Sequence, residues 1–175
     1  MPTTRKRSTK TKTPTDAIAL LKSDHDKVRG LLSKLETAAQ RGGDRAMALA
    51  HQVEQEVKVH SQIEEEIFYP AYRDAAQKKS DKQLFFEAKE EHHVVDLVMP
   101  EMDEPGSTEE FAAKAKVLKE LIEHHADEEE KEMFKAARKV MDRAELLDLG
   151  SRMQERKKQL KAAGSPRLGQ EASAA

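Results

Sequence analysis

No cysteine occurs anywhere in the 175 residues. That absence excludes disulfides, thiolate zinc sites, iron–sulfur clusters and a cysteine nucleophile together, so any metal in this protein is held by nitrogen and oxygen. Tryptophan is also missing, and aromatic residues amount to only 4%. Most of the seven glycines and six prolines lie near the ends or between periodic segments. A β-sandwich would show aromatic and β-branched runs with frequent turn signals, and none is present. Long apolar runs are lacking as well, and the basic start MPTTRKRSTKTKTP leads into no apolar stretch of a secretory signal. The expected location is therefore the cytoplasm, with no membrane partner.

What remains is charge and periodicity. Hydrophobic and charged residues each make up 37% of the chain, a balance suited to amphipathic helices with one buried stripe. The net charge is −2. Arg5, Lys6, Arg7, Lys10 and Lys12 concentrate positive charge at the start, so the folded body is acidic. Residues 1–14 carry no periodicity and are expected to form a disordered basic leader. Without aromatic residues for base stacking, that leader gives little support for nucleic-acid binding.

Helix punctuation organises the rest. A first stripe, Ile18, Leu21, Val28, Leu32, Leu35 and Ala39, begins near Thr15 and stops at Gly42-Gly43. Asp44 is placed to cap a second helix with Leu49, Val53, Val57, Ile63, Ile67 and Ala71 inward and Pro70 bending its end. Ser80 is placed to cap a third, short helix carrying Phe85, Ala88, Val95, Met99 and Met102, interrupted by Pro100. Ser107 or Thr108 followed by Glu109 and Glu110 resembles a capping start for a fourth, with Phe111, Ala115, Leu118, Ile122, Met133, Ala136 and Val140 inward. Asp142 and Glu145 form a second capping pattern for a helix reaching Ala163, expected to pack outside the others through Leu146, Leu149 and Met153. The division is thus a leader 1–14, a four-helix bundle 15–140, a C-terminal helix 141–163 and a disordered tail 164–175.

The chemistry lies in the gaps of those stripes. His25 falls between Leu21 and Val28, His60 between Val57 and Ile63, His92 between Ala88 and Val95, and His125 just after Ile122. Glu64 follows His60 by four residues and Glu129 follows His125 by four, so each pair shares one helical face. His51, His93 and His124 fall off the stripes and are expected at the surface. Asp24, Asp26, Glu65 and Glu91 flank the stripe histidines and are expected to face mainly solvent, while Tyr69 and Tyr72 lie close enough in sequence to reach the site. A lone histidine on an apolar face is more often an ordinary core residue. Four of them with two inward carboxylates are a different matter, because a buried ionised Glu without a partner costs about several kcal/mol or takes up a proton. Converging neutral imidazoles and carboxylates point to bound cations, and the donor count suggests two ions with open positions.

Four blocks resemble, in order, those of the hemerythrin-like proteins with the HHE cation-binding domain: SDHDKVRGLLSKL around His25, HSQIEEEIFYP with His60 and Glu64, EEHHVVDLVMPEM with His92, and HHADEEEKEMF with His125 and Glu129. The resemblance implies an all-α, up-down-up-down four-helix bundle with an additional C-terminal helix. It also implies two non-haem iron ions, with a bridging oxo or hydroxo group, held by His25, His60, Glu64, His92, His125 and Glu129; zinc and manganese are less favoured. The chain departs from the oxygen-carrying hemerythrins, because Asp96 stands four residues beyond His92 where they have a second histidine, and the last block repeats His-x-x-x-Glu. By resemblance, a role in oxidative or nitrosative stress, with oxygen, nitric oxide or peroxide as the small ligand, ranks ahead of oxygen transport. The alternative is a metal- or redox-sensing module without turnover. The sequence names no protein partner and does not decide whether the chain is an enzyme.

Overall fold

The computed structural model describes residues 15–104 and 106–164. The basic leader and nearly all of the tail lie outside these residues. Every regular element among the described residues is helical. α1 (Ala17–Ala39) starts at Asp16, whose carboxylate accepts from the Ala19 backbone N–H at 2.8 Å and so satisfies one of the donors a helix start leaves free. After α1 the chain reverses at Gly42 and Gly43, with φ of 64° and 80°, a left-handed conformation that glycine adopts without steric cost. In α2 (Asp44–Ile63) the N-cap is Gly43; Asp44 is already helical and makes no cap bond, so the capping role expected of it is not found.

The second helix does not stop at Ile63. A π turn (Glu64–Phe68) and α3 (Tyr69–Ala75) follow without leaving helical backbone angles, and the three segments form one rod. In the π turn the Tyr69 N–H bonds the Glu64 carbonyl five residues back, which inserts one residue into the α-helical register. Ile67 and Ala71 were expected in the stripe, yet both are only partly buried, and their successors Phe68 and Tyr72 are fully buried in their place. Pro70 sits where the four-residue hydrogen-bond ladder is already interrupted, so its missing N–H costs little.

α4 (Lys79–Val98) has Lys78 as N-cap, not Ser80, and at 20 residues it is longer than expected. Pro100 does not cut it off but falls in a 3-10 turn, Met99–Met102, that extends it. α5 (Thr108–Glu128) opens with the full Ser107/Glu110 capping box. A second π turn (Glu129–Met133) leads into α6 (Phe134–Val140). It shifts the stripe as the first does: Ala136 and Val140 give way to the buried Ala137 and Met141.

The four rods make an up-down-up-down bundle. α7 (Arg143–Ala163), started by the Asp142/Glu145 capping box, packs across α1, α2 and the first π turn. Leu146, Leu149 and Met153 are buried there, and Gly150 permits the approach: a Cβ at that position would collide with the backbone of Thr15, Asp16 and Ala17. Among the described residues, no helix is long and apolar enough to cross a membrane.

Two apolar clusters fill the bundle. One, rich in aromatics, holds Phe68, Tyr69, Tyr72 and Phe134 and is closed by α7 residues. The other is mainly aliphatic, with Leu32, Leu35, Val53, Met99, Leu118 and their neighbours. A polar layer lies between them.

Candidate metal centre

The polar layer consists of His25 on α1, His60 on α2, His92 on α4, His125 on α5, and Glu64 and Glu129 at the heads of the two π turns. None of the six is more than 6% exposed. Their inward positions follow from the helical stripes, since each histidine occupies a core slot between apolar neighbours and each glutamate lies one turn further along the same face.

All four imidazoles turn Nε2 inward. The Nε2 atoms of His25 and His60 are 3.0 Å apart, and those of His92 and His125 are 3.1 Å apart. Glu129 Oε2 stands 3.2 Å from His25 Nε2 and 3.6 Å from His125 Nε2. Glu64 Oε2 stands 3.2 Å from His60 Nε2 and 3.5 Å from His92 Nε2. Each carboxylate therefore reaches both histidine pairs.

The nitrogen and oxygen donors suit bound cations. Both oxygens of Glu64 and Oε2 of Glu129 are buried without a hydrogen-bond partner among the described residues. Burial and the neighbouring Glu129 charge push the Glu64 carboxyl well above the ordinary carboxylate range. Burial acts on Glu129 in the same direction, but the neighbouring His125 and His25 outweigh it and hold that carboxyl low. Burial brings His60 down to about 4, so its ring is neutral and offers a lone pair. Two buried carboxylates within reach of four inward imidazole nitrogens form the donor set of one or two cations. His25, His60, Glu64 and Glu129 bring ligand atoms together in one group, and Glu64, His92 and His125 in a second.

The outer nitrogens are also engaged. His25 Nδ1 lies 3.0 Å from Glu130, His92 Nδ1 2.9 Å from Glu65, and His125 Nδ1 2.7 Å from Glu91. His60 Nδ1 is 3.8 Å from Asp24 Oδ2, an electrostatic contact longer than a hydrogen bond. A carboxylate behind each ring fixes its orientation and raises the basicity of the inner nitrogen. Asp24 corrects the expectation that it faces water: it is 7% exposed and bonded by Lys157 of α7. The sequence neighbours of a ligand reveal this only once the helix that covers them is known.

These contacts relate α1–α2–α3 to α4–α5–α6 by an approximate internal two-fold. Asp24-His25 matches Glu91-His92, and His60 with Glu64-Glu65 matches His125 with Glu129-Glu130. Tyr69 and Phe134 are equivalents too, stacking on His92 and His25 at 5.5 and 5.7 Å respectively. Only Tyr69 carries a hydroxyl, which donates to Glu129 Oε1 at 2.9 Å and lies 3.3 Å from His92 Nε2. Burial and the Glu129 charge push this phenol well above its ordinary value, so it stays protonated. Tyr72, by contrast, is buried in the aromatic cluster.

His92 and His125 are the inward members of their doublets; His93 and His124 are exposed, and His51 is partly exposed on the far face of α2. A cavity of about 20 Å³ adjoins the four histidines on the aliphatic side, walled by Val28, Val57, Val95 and Ile122, with Arg29 and Ser61 also lining it.

A helical bundle with a buried layer of imidazoles and carboxylates is the architecture of a cation-binding domain. The chain belongs to the hemerythrin family: the profile described as the hemerythrin HHE cation binding domain matches residues 16–137. It is 30% identical over 152 residues to the uncharacterised protein Rv2633c of Mycobacterium tuberculosis, covering 86% of this chain and 89% of that protein. An uncharacterised protein of Mycobacterium bovis matches to the same extent. The crystal structure of a hemerythrin HHE cation binding domain-containing protein from Mycobacterium kansasii, a homologue of Rv2633c, superposes with a TM-score of 0.73 at 28% identity, covering 85% of this chain and 89% of that one.

Proposed function

We propose that the six-residue layer holds two non-haem iron ions and reacts with a small oxidant, namely oxygen, nitric oxide or peroxide. The observation that carries the reading is the convergence of four inward Nε2 atoms on two buried carboxylates that have no hydrogen-bond partner for their inner oxygens. Four nitrogens and two carboxylates leave coordination positions free on two ions, as ligand-binding chemistry requires and a closed structural zinc site does not. When bound, the iron pair supplies electrons to the oxidant.

The chain's own residues do the rest. Glu64 and Glu129 each reach both histidine pairs and hold the two positions together. Glu65, Glu91 and Glu130 keep the imidazoles oriented through their outer nitrogens. Tyr69 keeps its proton and offers it beside Glu129 and His92. The valine- and isoleucine-walled cavity of about 20 Å³ has room for about one or two small molecules and excludes larger substrates. The oxidant chemistry rests on this donor set and this cavity.

The test is the reaction of iron-loaded protein with each of the three oxidants, followed optically. Consumption well above that of an equal amount of free iron, lost in Glu64→Ala, is expected. Equal rates for protein and free iron with all three would overturn the proposal.

A further inference from the structure

A second group of ligand-type side chains lies outside the buried layer. Glu91 on α4 and His124 and Glu128 on α5 bring their donor atoms together at the surface. His124 Nε2 is 3.3 Å from Glu128 Oε1 and 3.7 Å from Glu91 Oε1. The other oxygen of Glu91 takes the His125 Nδ1 contact at 2.7 Å, so one side chain joins this group to the buried layer.

Beneath the group runs a crevice of about 10 Å³ between α4 and α5, lined by Glu87, Glu91 and Glu128 and by the buried Glu129. Glu129 is 2% exposed and its Oε2 has no hydrogen-bond partner among the described residues. Glu129, whose Oε2 faces His25 and His125 in the buried layer, thus also lines a crevice shared with Glu87, Glu91 and Glu128, and His124 stands against the last two. Among the described residues, no lysine or arginine forms an ion pair with Glu87, Glu91 or Glu128.

The internal two-fold shows that this seam is not what the bundle requires. The equivalent places between α1 and α2 are Leu20 for Glu87, Val59 for His124 and Ile63 for Glu128, and Asp24 for Glu91. There Val59 and Ile63 are buried, α7 lies across the seam, and Lys157 pairs with Asp24. One seam is apolar, covered and neutralised by a lysine. The other is open, acidic and supplied with an imidazole.

We propose that Glu91, His124 and Glu128 form a surface site for a divalent first-row metal cation, from which the ion passes along the α4–α5 crevice to Glu129 and the buried layer. The proposal rests on the reading of that layer as a metal centre. Mixed imidazole and carboxylate donors suit such ions, and partial exposure makes the site weaker and faster to exchange than the buried one. An open acidic mouth raises the local cation concentration and the rate of capture.

The test uses the full chain stripped of metal, with Co²⁺ as the probe. Bound ions are counted by equilibrium dialysis with elemental analysis, and filling of the buried layer is timed by visible absorption. Wild type is compared with His124→Ala/Glu128→Gln, which leaves Glu91 in its contact with His125. We expect one weak ion per chain to disappear in the double variant. The buried layer should reach the same final level but about tenfold more slowly. An unchanged filling rate, or no weak ion in wild type, overturns the proposal alone. A wild-type chain that binds the surface ion and fills no buried site overturns the loading role together with the reading of the buried layer.

Discussion

At the scale of single residues, the internal two-fold makes its exceptions informative. Tyr69 and Phe134 occupy equivalent places against His92 and His25, and only the hydroxyl distinguishes the two halves of the centre. Tyr69→Phe removes a hydrogen bond to a buried carboxylate and should destabilise the metal-free protein by about 1–3 kcal/mol. Its metal content should match wild type while its reaction with oxidant slows. Chemical denaturation and elemental analysis of the same preparation check both. Glu65→Gln and Glu130→Gln loosen one imidazole each, and metal affinity measured by competition with a chelator should fall about 10- to 100-fold. An unchanged affinity would show that those carboxylates are surface charges near the centre by accident. The six inward residues were legible from spacing because each lies on a stripe that its apolar neighbours define. Asp24 was not, because its burial depends on Lys157, more than a hundred residues away.

At the scale of elements, the departures from the expected stripes share one cause. Up to Glu64 and up to Glu129 the 3.6-residue period holds; beyond each, a π turn advances the register by one, replacing Ile67 and Ala71 by Phe68 and Tyr72 and Ala136 and Val140 by Ala137 and Met141. The apolar doublets Phe68-Tyr69 and Met133-Phe134 are the visible trace, since a regular helix seldom buries two adjacent large side chains. α7 is held by shape and by charge. Gly150→Ala should cost about 1–3 kcal/mol of stability, because backbone and not a flexible side chain occupies the space. Faster amide exchange confined to α7 and its contacts would locate the effect.

Glu56 of α2 pins the same helix, bonding Lys27 of α1 at 2.7 Å and Lys161 of α7 at 2.9 and 3.0 Å. Burial would raise its pKa, but the two lysines outweigh burial and hold it below 4.5. A lowered folded-state value means that the folded protein binds fewer protons. The contribution is present above the unfolded value and is lost as pH falls through the folded one. Stability of wild type relative to Glu56→Gln should therefore shrink below about pH 4.5, by no more than about 1 kcal/mol for a pair this close to the surface. Denaturation midpoints measured against pH for the two proteins test the sign.

At the scale of the whole molecule, two apolar clusters are separated by a layer that opposes folding when metal is absent. Buried carboxylates without partners lower the stability of the apoprotein, and cations that bind only the folded state restore it. Metal at about 100 times its dissociation constant adds about 2.7 kcal/mol, so the thermal midpoint should rise on loading and return with a chelator. The bundle itself was legible because amphipathic stripes and capping boxes recur along the chain. The internal two-fold was visible only in part, as a repeated His-x-x-x-Glu. Its full extent needed the outer partners of each imidazole. The most direct test of the central claim is the iron content per chain after anaerobic reconstitution, in wild type and in Glu64→Ala. Two irons per chain, falling to one or fewer in the variant, are predicted; a wild-type protein that retains no metal and keeps the same thermal midpoint would contradict the account.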